Sequence, residues 1–169
     1  YKFFENGLQV MVCGEVNEKI NCPFLPRLGF EFALNKENDT FTYFGMGDAE
    51  NYCDMCHHTK IGKYESSARR EYVNYIMPQE HGNHIKTKVL AIKNGLSFTA
   101  DTHMDINYSN YDSHILYKAT HQNELKSDGT LTLRIDYKNA GIGSASCGPE
   151  LLKKYRLDEK DIHFEFSIS

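Results

Sequence analysis

Tryptophan is absent from this 169-residue chain, so any flat apolar contact with a ligand ring must come from tyrosine or phenylalanine. No apolar run approaches the ~18 residues that a membrane-spanning helix needs. No charged-then-apolar stretch resembling a secretory leader opens the sequence, which starts at Tyr1 as expected of a piece of a longer polypeptide. No basic stripe interrupts the mixture of 19 basic and 23 acidic residues, and at a net charge of −4 a nucleic-acid surface is disfavoured. A Ser-His-Asp elbow, a phosphate-binding P-loop and a dinucleotide glycine fingerprint are all missing. Gly141-Ile142-Gly143 supplies two glycines of the last pattern but neither the third nor the downstream acid. Internal repeats, low-complexity tracts and linkers are not visible either, and the length fits one domain able to bury a core without staples.

Five cysteines are present, an odd number that cannot pair completely within one chain. Cys53-Asp54-Met55-Cys56-His57 has the form of a c-type haem attachment sequence, and Cys53, Cys56 and His57 or His58 could seed a zinc site. A second C-x-x-C and a helical H-x₃-H are lacking, so structural thiols are the favoured reading and metal binding stays open. Several free thiols fit a reducing cytoplasm.

Eleven tyrosines and ten phenylalanines favour strands. Phe3-Phe4 and Leu8–Val12 flank Glu5-Asn6-Gly7 as a hairpin, and Cys22–Pro26 is an extended connector. Arg27–Leu34 alternates, with Leu28, Phe30, Phe32 and Leu34 on one face. Thr40–Phe44, Lys60–Tyr64, Tyr72–Met77 and Lys86–Ile92 are further predicted strands. Lys93-Asn94-Gly95 turns into Leu96–Asp101, which Thr102–Tyr108 continues. Thr130–Tyr137 and Asp161–Ile168 alternate most cleanly. Ser109-Asn110-Tyr111-Asp112 resembles a capping box before a short helix carrying Ile115, Leu116 and Ala119, and a second helical turn is expected near 149–155. Roughly nine strands with turns every ~8–12 residues predict an all-β antiparallel sandwich.

Three stretches are too irregular for helices and too polar for core strands. They are Gly45–Tyr52, Met77–His84 and the glycine- and serine-rich 140–149, and each reads as a shaped loop where binding residues tend to lie. Glu50 and Glu80 are the loop acids set among glycines, amides and aromatics. Their simpler role is to hold loops through backbone amides.

These stretches, in this order, resemble one family. Leu25-Pro26-Arg27-Leu28-Gly29 is similar to its "LPR-hydrophobic-G" strand entry. Phe44–Asp54 follows "G-x-G-P-x-E-N-Y-x-D", with Asp48 in place of the proline. Gly62-Lys63-Tyr64 matches "G-x-Y", and Tyr75–His84 resembles "Y-x-x-P-Q-E-N/S-G-N-R". Asp105–Ser109 is similar to "F-x-F-S", and Arg134–Gly143 to "x-I-D-x-x-Q-x-G-V-G". The family is the C-terminal, small-chain domain of glycoside hydrolase family 2 β-galactosidases.

The resemblance implies a supersandwich related to galactose mutarotases, of which residues 1–169 would be the C-terminal part, with the first strands missing. It implies hydrolysis of terminal non-reducing β-D-galactose by the whole enzyme. The catalytic glutamates and the magnesium and sodium sites would lie on a TIM-barrel domain or large subunit, leaving this chain without a cofactor and inactive alone. It also implies that this domain gives the active site a rim loop, whose tryptophan position is held here by Cys147. On that basis the expected substrate-contacting residues are Ser144, Ser146 and Cys147 together with Glu80, His81 and Asn83. Uncovered strand edges make a homodimer a further expectation. The alternative is a free-standing carbohydrate-binding or mutarotase-like module, in which His81 or His84 with Glu80 would face a sugar anomeric centre.

Overall fold

The computed structural model describes residues 1–17, 19, 21–143 and 149–169. Among these residues nine strands make one antiparallel sheet: β1 (Lys2–Phe4), β2 (Gly7–Glu15), β3 (Arg27–Asn35), β4 (Thr40–Gly47), β5 (Lys60–Ser67), β6 (Asn83–Ile92), β7 (Ser97–Ser109), β8 (Thr130–Asn139) and β9 (Asp161–Ile168). The sheet order is β1-β2-β9-β7-β6-β4-β5, and a second branch, β8-β3, leaves from β7.

The fork follows from the length of β7. Its first residues pair with β9, Phe98 opposite Ile168, whereas its last residues pair with β8, from Asp105↔Asp136 to Ser109↔Thr132. One strand thus serves two branches, which fold over each other as a sandwich. Aromatic rings interlock between them: Phe30 on β3 meets Phe166 on β9 at 5.4 Å, and Phe32 meets Phe98 at 5.3 Å. The shared core contains Phe41, Tyr43, Leu90, Phe98, Met104, Ile106, Leu131, Leu133, Ile135 and Phe166. These are the apolar positions of the alternating strands.

Four expectations need correction. Gly45-Met46-Gly47 is the end of β4 and not a loop. The glycine is there for space: a Cβ on Gly45 would lie 2.9 Å from Thr87 Cα on β6. Asn83-His84 likewise begins β6. Tyr72–Met77 forms no strand, because none of its residues joins a ladder and Ile76 is fully exposed. The helix, α1 (Ser113–Lys118), is capped by Asp112, whose carboxylate accepts the Ile115 N–H at 2.7 Å, and Ser109 ends β7. The turn expected near 149–155 is a single 3₁₀ turn at Lys153–Tyr155.

Candidate functional site

Strands β6, β7, β8 and β3 place Asn83, Asn107, Arg134 and Glu31 side by side, as successive register partners across the sheet. One step further along lie Asp105 and Asp136, also opposite each other. Side chains at alternate positions share a face, so these polar groups lie opposite the aromatic core. They are nevertheless buried: Asn83, Asn107, Arg134, Asp105 and Asp136 are all 5% exposed or less. The loops above them exclude the water.

Arg27 ties the loop to this floor. Its Nη1 and Nη2 donate to the two Glu80 oxygens at 3.1 and 2.8 Å, and its Nε donates to Asp136 Oδ2 at 2.7 Å. Burial alone would lower its pKa, but Glu80 and Asp136 outweigh that and raise it. Asn107 Nδ2 donates to Glu80 at 3.0 Å and to the His81 carbonyl, and Arg134 donates to Asn107 Oδ1 at 3.1 Å. Glu80, His81 and Asn107 are thereby one unit.

Asn51 joins this unit to the end of β4. Fully buried, it donates to the Met46 and Ala49 carbonyls at 2.9 Å and accepts the Ile85 N–H at 2.8 Å. Its backbone N–H donates to Asn83 O at 2.7 Å, and Asn83 Nδ2 returns a bond to Asn51 O at 3.0 Å. Glu50 accepts the Gly82 N–H at 2.8 Å and the Tyr75 hydroxyl. Its contacts are those of a loop holder. The third stretch joins through Asp54, which accepts the N–H groups of Ile142 and Gly143 at 3.2 and 3.0 Å.

The structure therefore brings all three stretches together, at residues the sequence analysis named and at several it did not. Glu80 is partly exposed but engaged by Arg27. His81 is 2% exposed; its Nδ1–H donates to Gln79 O at 2.8 Å, and Ser109 Oγ–H donates to its Nε2 at 3.2 Å. With both nitrogens engaged, it presents no free base to a sugar. His84 is also buried, its Nε2–H donating to Glu71 Oε2 at 2.7 Å and its Nδ1 accepting from the Tyr43 hydroxyl at 3.0 Å. Asn83 is wholly buried. Ser144, Ser146 and Cys147 lie outside the described residues. Arg27, Asn51, Asp54, Asn107 and Arg134 were not expected as site residues. Arg27 was visible as the arginine of Leu-Pro-Arg and Asn51 and Asp54 as letters of Glu-Asn-Tyr-x-Asp, whereas Asn107 and Arg134 stood at unspecified positions of the Asp105–Ser109 and Arg134–Gly143 stretches.

A cleft of about 500 Å³ opens beside β4 and β5, lined by Tyr43, Asp48, Glu50, His58, Tyr64 and Arg70 among others. Its deeper groups are already paired: Glu71 with His84, Glu50 with Gly82 and Tyr75, and Tyr64 with the Lys60 carbonyl. The C-x-x-C-H stretch holds thiols. Cys53 faces the Asn139 and Tyr155 carbonyls at 3.4 and 3.5 Å, and burial, with Asp54 and Asp105 nearby, pushes its pKa up to about 11. It is a donor there, whereas a zinc ligand is a thiolate. Cys13, Cys22, Cys53 and Cys56 are free, and no three His, Cys, Asp or Glu side chains cluster as metal ligands among the described residues.

Residues 1–168 match the family model described as β-galactosidase small chain. The chain belongs to that family. It is 36% identical over 168 residues to a β-galactosidase of Actinobacillus pleuropneumoniae, covering 99% of this chain and 16% of that protein. It is 33% identical over 172 residues to one of Kluyveromyces lactis, covering 100% of this chain and 17% of that protein, and 31% identical over 157 residues to one of Staphylococcus xylosus, covering 91% and 16%. The chain thus spans about a sixth of the length of these relatives. The all-β sandwich expected of the small chain is the fold observed. No helix among the described residues is long and apolar enough to cross a membrane.

Proposed function

We propose that this chain is the small-chain component of a β-galactosidase that hydrolyses terminal non-reducing β-D-galactose residues. The catalytic glutamates, and any magnesium or sodium, belong to a catalytic domain or large subunit of TIM-barrel type. The chain contributes a rim loop and an assembly surface, and has no activity alone. The observation that carries this reading is the match over residues 1–168 to the small-chain family. It is supported by the occupation of the loop acids, since Glu50, Glu80 and Asp54 all hold chain segments. Glycoside hydrolysis needs two carboxyl groups free to face the scissile bond.

Rim contacts are assigned to Ser144, Ser146 and Cys147, which lie outside the described residues, while Glu80, His81 and Asn83 hold their own segment onto the sheet. The assembly surface is read from exposed apolar groups on the outer face of β4, β5 and β6. Phe44 and Val89 are register partners there, and Ile61 lies nearby opposite Met46. The β3 edge, paired among the described residues with β8 alone, is a second side where a partner domain or a second copy can add a strand. Unpaired thiols in the four described cysteines suit a reducing cytoplasm.

The test is turnover of a chromogenic β-galactoside by the purified chain, alone and mixed with the catalytic domain. The expected result is no turnover above buffer alone and restored turnover in the mixture. Activity of the chain alone that survives repurification and disappears in Glu50→Gln or Glu80→Gln would place a complete site here and overturn the reading.

A further inference from the structure

Arg134 has one arm of its guanidinium without an acceptor. Its Nε donates to Glu31 Oε2 at 2.9 Å and its Nη1 to Asn107 Oδ1 at 3.1 Å. Nη2 is buried, on a residue only 3% exposed, and bonds to nothing among the described residues. A buried donor without a partner is costly, and more so when it carries charge. Arg134 lines a hollow of about 210 Å³ together with Arg27, Leu28, Gly29, Glu31 and Asp136. That is well above the ~30 Å³ share of one water in the liquid, and below the ~300–1,000 Å³ of clefts that take drug-sized ligands. The hollow lies where the register of β3 on β8 shifts between Leu28 and Gly29, leaving Tyr137 of β8 without an opposite residue. Gly29 faces Asp136 there, and a Cβ on it would collide with the Asp136 carboxylate and the Ile135 carbonyl. Gly29 and Glu31 are exposed, so the hollow opens to solvent on their side.

Two guanidinium groups, Arg27 and Arg134, meet three carboxylates, Glu31, Asp136 and Glu80, and each carboxylate is paired with one of them. No positive charge is left over for an anion, so the oxygen that Nη2 calls for is a neutral one. A hydroxyl is neutral and also donates. Glu31 spends Oε2 on Arg134 Nε, and its second oxygen belongs to a half-exposed side chain at the mouth of the hollow. We propose that this hollow binds one ring of an uncharged polyol, a monosaccharide unit or a cyclitol, one of whose hydroxyls accepts from Arg134 Nη2 while a hydroxyl donates to Glu31. The volume admits a single ring. The site needs neither a catalytic domain nor the connection between β8 and β9, and it stands whether or not the functional reading above does.

The test is titration of the 169-residue chain with D-galactose and, separately, with myo-inositol, followed by NMR at the backbone amides and the arginine Nε–H groups. Saturable shifts are expected at Gly29, Glu31 and Arg134, with half-saturation at roughly 1–10 mM, the range open to a small neutral ligand held by a few hydrogen bonds. The core amides of Leu90 and Phe98 should not move. Saturation by either probe supports the proposal, and the tighter of the two says whether a sugar or a cyclitol fits better. Arg134→Lys, which keeps the charge and removes Nη2, should weaken binding at least about fivefold. Because Arg134 is buried, Glu31→Gln provides a variant at a half-exposed position; it should weaken binding about threefold by replacing a charged acceptor with an amide. No saturable shift with either probe up to ~100 mM overturns the proposal. Unchanged affinity in both variants overturns the assigned contacts and the proposal with them. Sodium sulfate moving the same signals at lower concentration than the polyols would make the hollow an anion site and overturn it too. A crystal of the chain soaked in both probes, with water alone at Nη2, would do the same.

Discussion

Asp105 and Asp136 stand opposite each other on β7 and β8, with both carboxyl groups buried. Burial raises both to about 7; for Asp105 the Asp136 charge adds to this, whereas Arg27 opposes it at Asp136. Two such groups titrate as a pair. The 2.7 Å bond from Arg27 assigns the negative charge to Asp136, and the retained proton to Asp105. The perturbation that follows is Asp105→Asn, which fixes that side chain in a neutral form of the same shape. In the unfolded chain the carboxyl titrates near ~3.9. Between pH ~4 and ~7 the folded chain therefore holds a proton that the unfolded chain has released. Stability falls as pH rises through this window and is lowest above it. Ionised Asp105 above both values costs at most ~4 kcal/mol. Asparagine should recover roughly half of that, since its NH₂ must find an acceptor in place of a proton. Urea unfolding of the 169-residue chain at pH 5.5 and 8.5 is the assay. The variant should exceed wild type by ~2 kcal/mol at pH 8.5, with the gap closing or reversing at pH 5.5. His103 contributes with the opposite sign: burial and the neighbouring Lys86 and Lys88 lower its pKa, so its share of stability grows as pH rises. Taking the variant minus wild type cancels that share. A gap of equal size at both pH values, or a wild type more stable than the variant at pH 8.5, would refute the reasoning.

Asn51→Ala removes three side-chain bonds from a fully buried position. The expected loss is ~3 kcal/mol, seen by calorimetry as a fall of about 9 °C in Tm, and a fall below about 2 °C would contradict the bridging role. Gly45→Ala should cost ~1–3 kcal/mol by overpacking against Thr87, read as a lower urea midpoint, and Thr87→Ser in the same chain should not rescue it because the close contact includes the Thr87 backbone. With the β3 edge and the Phe44–Val89 face open, the isolated chain is expected to dimerise with rising concentration in sedimentation velocity. A clean monomer at high concentration would count against self-association.

The apolar half of the alternation could be read directly, because one exposed face and one core face impose period two. Leu131, Leu133 and Ile135 are buried as that period requires. Local reading goes wrong where glycine is taken as a sign of a turn. At Gly45 it answers a neighbouring strand 42 positions along the chain, at Thr87. It also goes wrong at Tyr72–Met77, whose aromatic and branched residues have high strand propensity but no partner strand. Asp112 could have been recognised as a cap from its position before Ser113. The capping-box pattern Ser109-Asn110-Tyr111-Asp112 offered a competing register, with Ser109 as cap, and β7 takes that serine instead.

The other half of the alternation is where the site lies, and its meaning could not be read. Thr132, Arg134 and Asp136 alternate with the core residues of β8, as solvent-facing residues of a sandwich would. They are buried instead, because the 77–82 loop lies over them and Arg27 crosses to meet it. What distinguishes a wet face from a floor beneath a loop is a set of contacts between residues 53 and 109 positions apart. No window of strand periodicity spans that distance. A buried charge needs a partner at hydrogen-bonding distance. So the Leu-Pro-Arg, Pro-Gln-Glu and Ile-Asp segments act as one structural unit: Arg27, Glu80 and Asp136 are three parts of a single ion cluster. The motifs that looked like binding loops are in large part the device that keeps this polar floor dry. The bend at Gly141 leaves from its edge, held by Asn139 and Asp54.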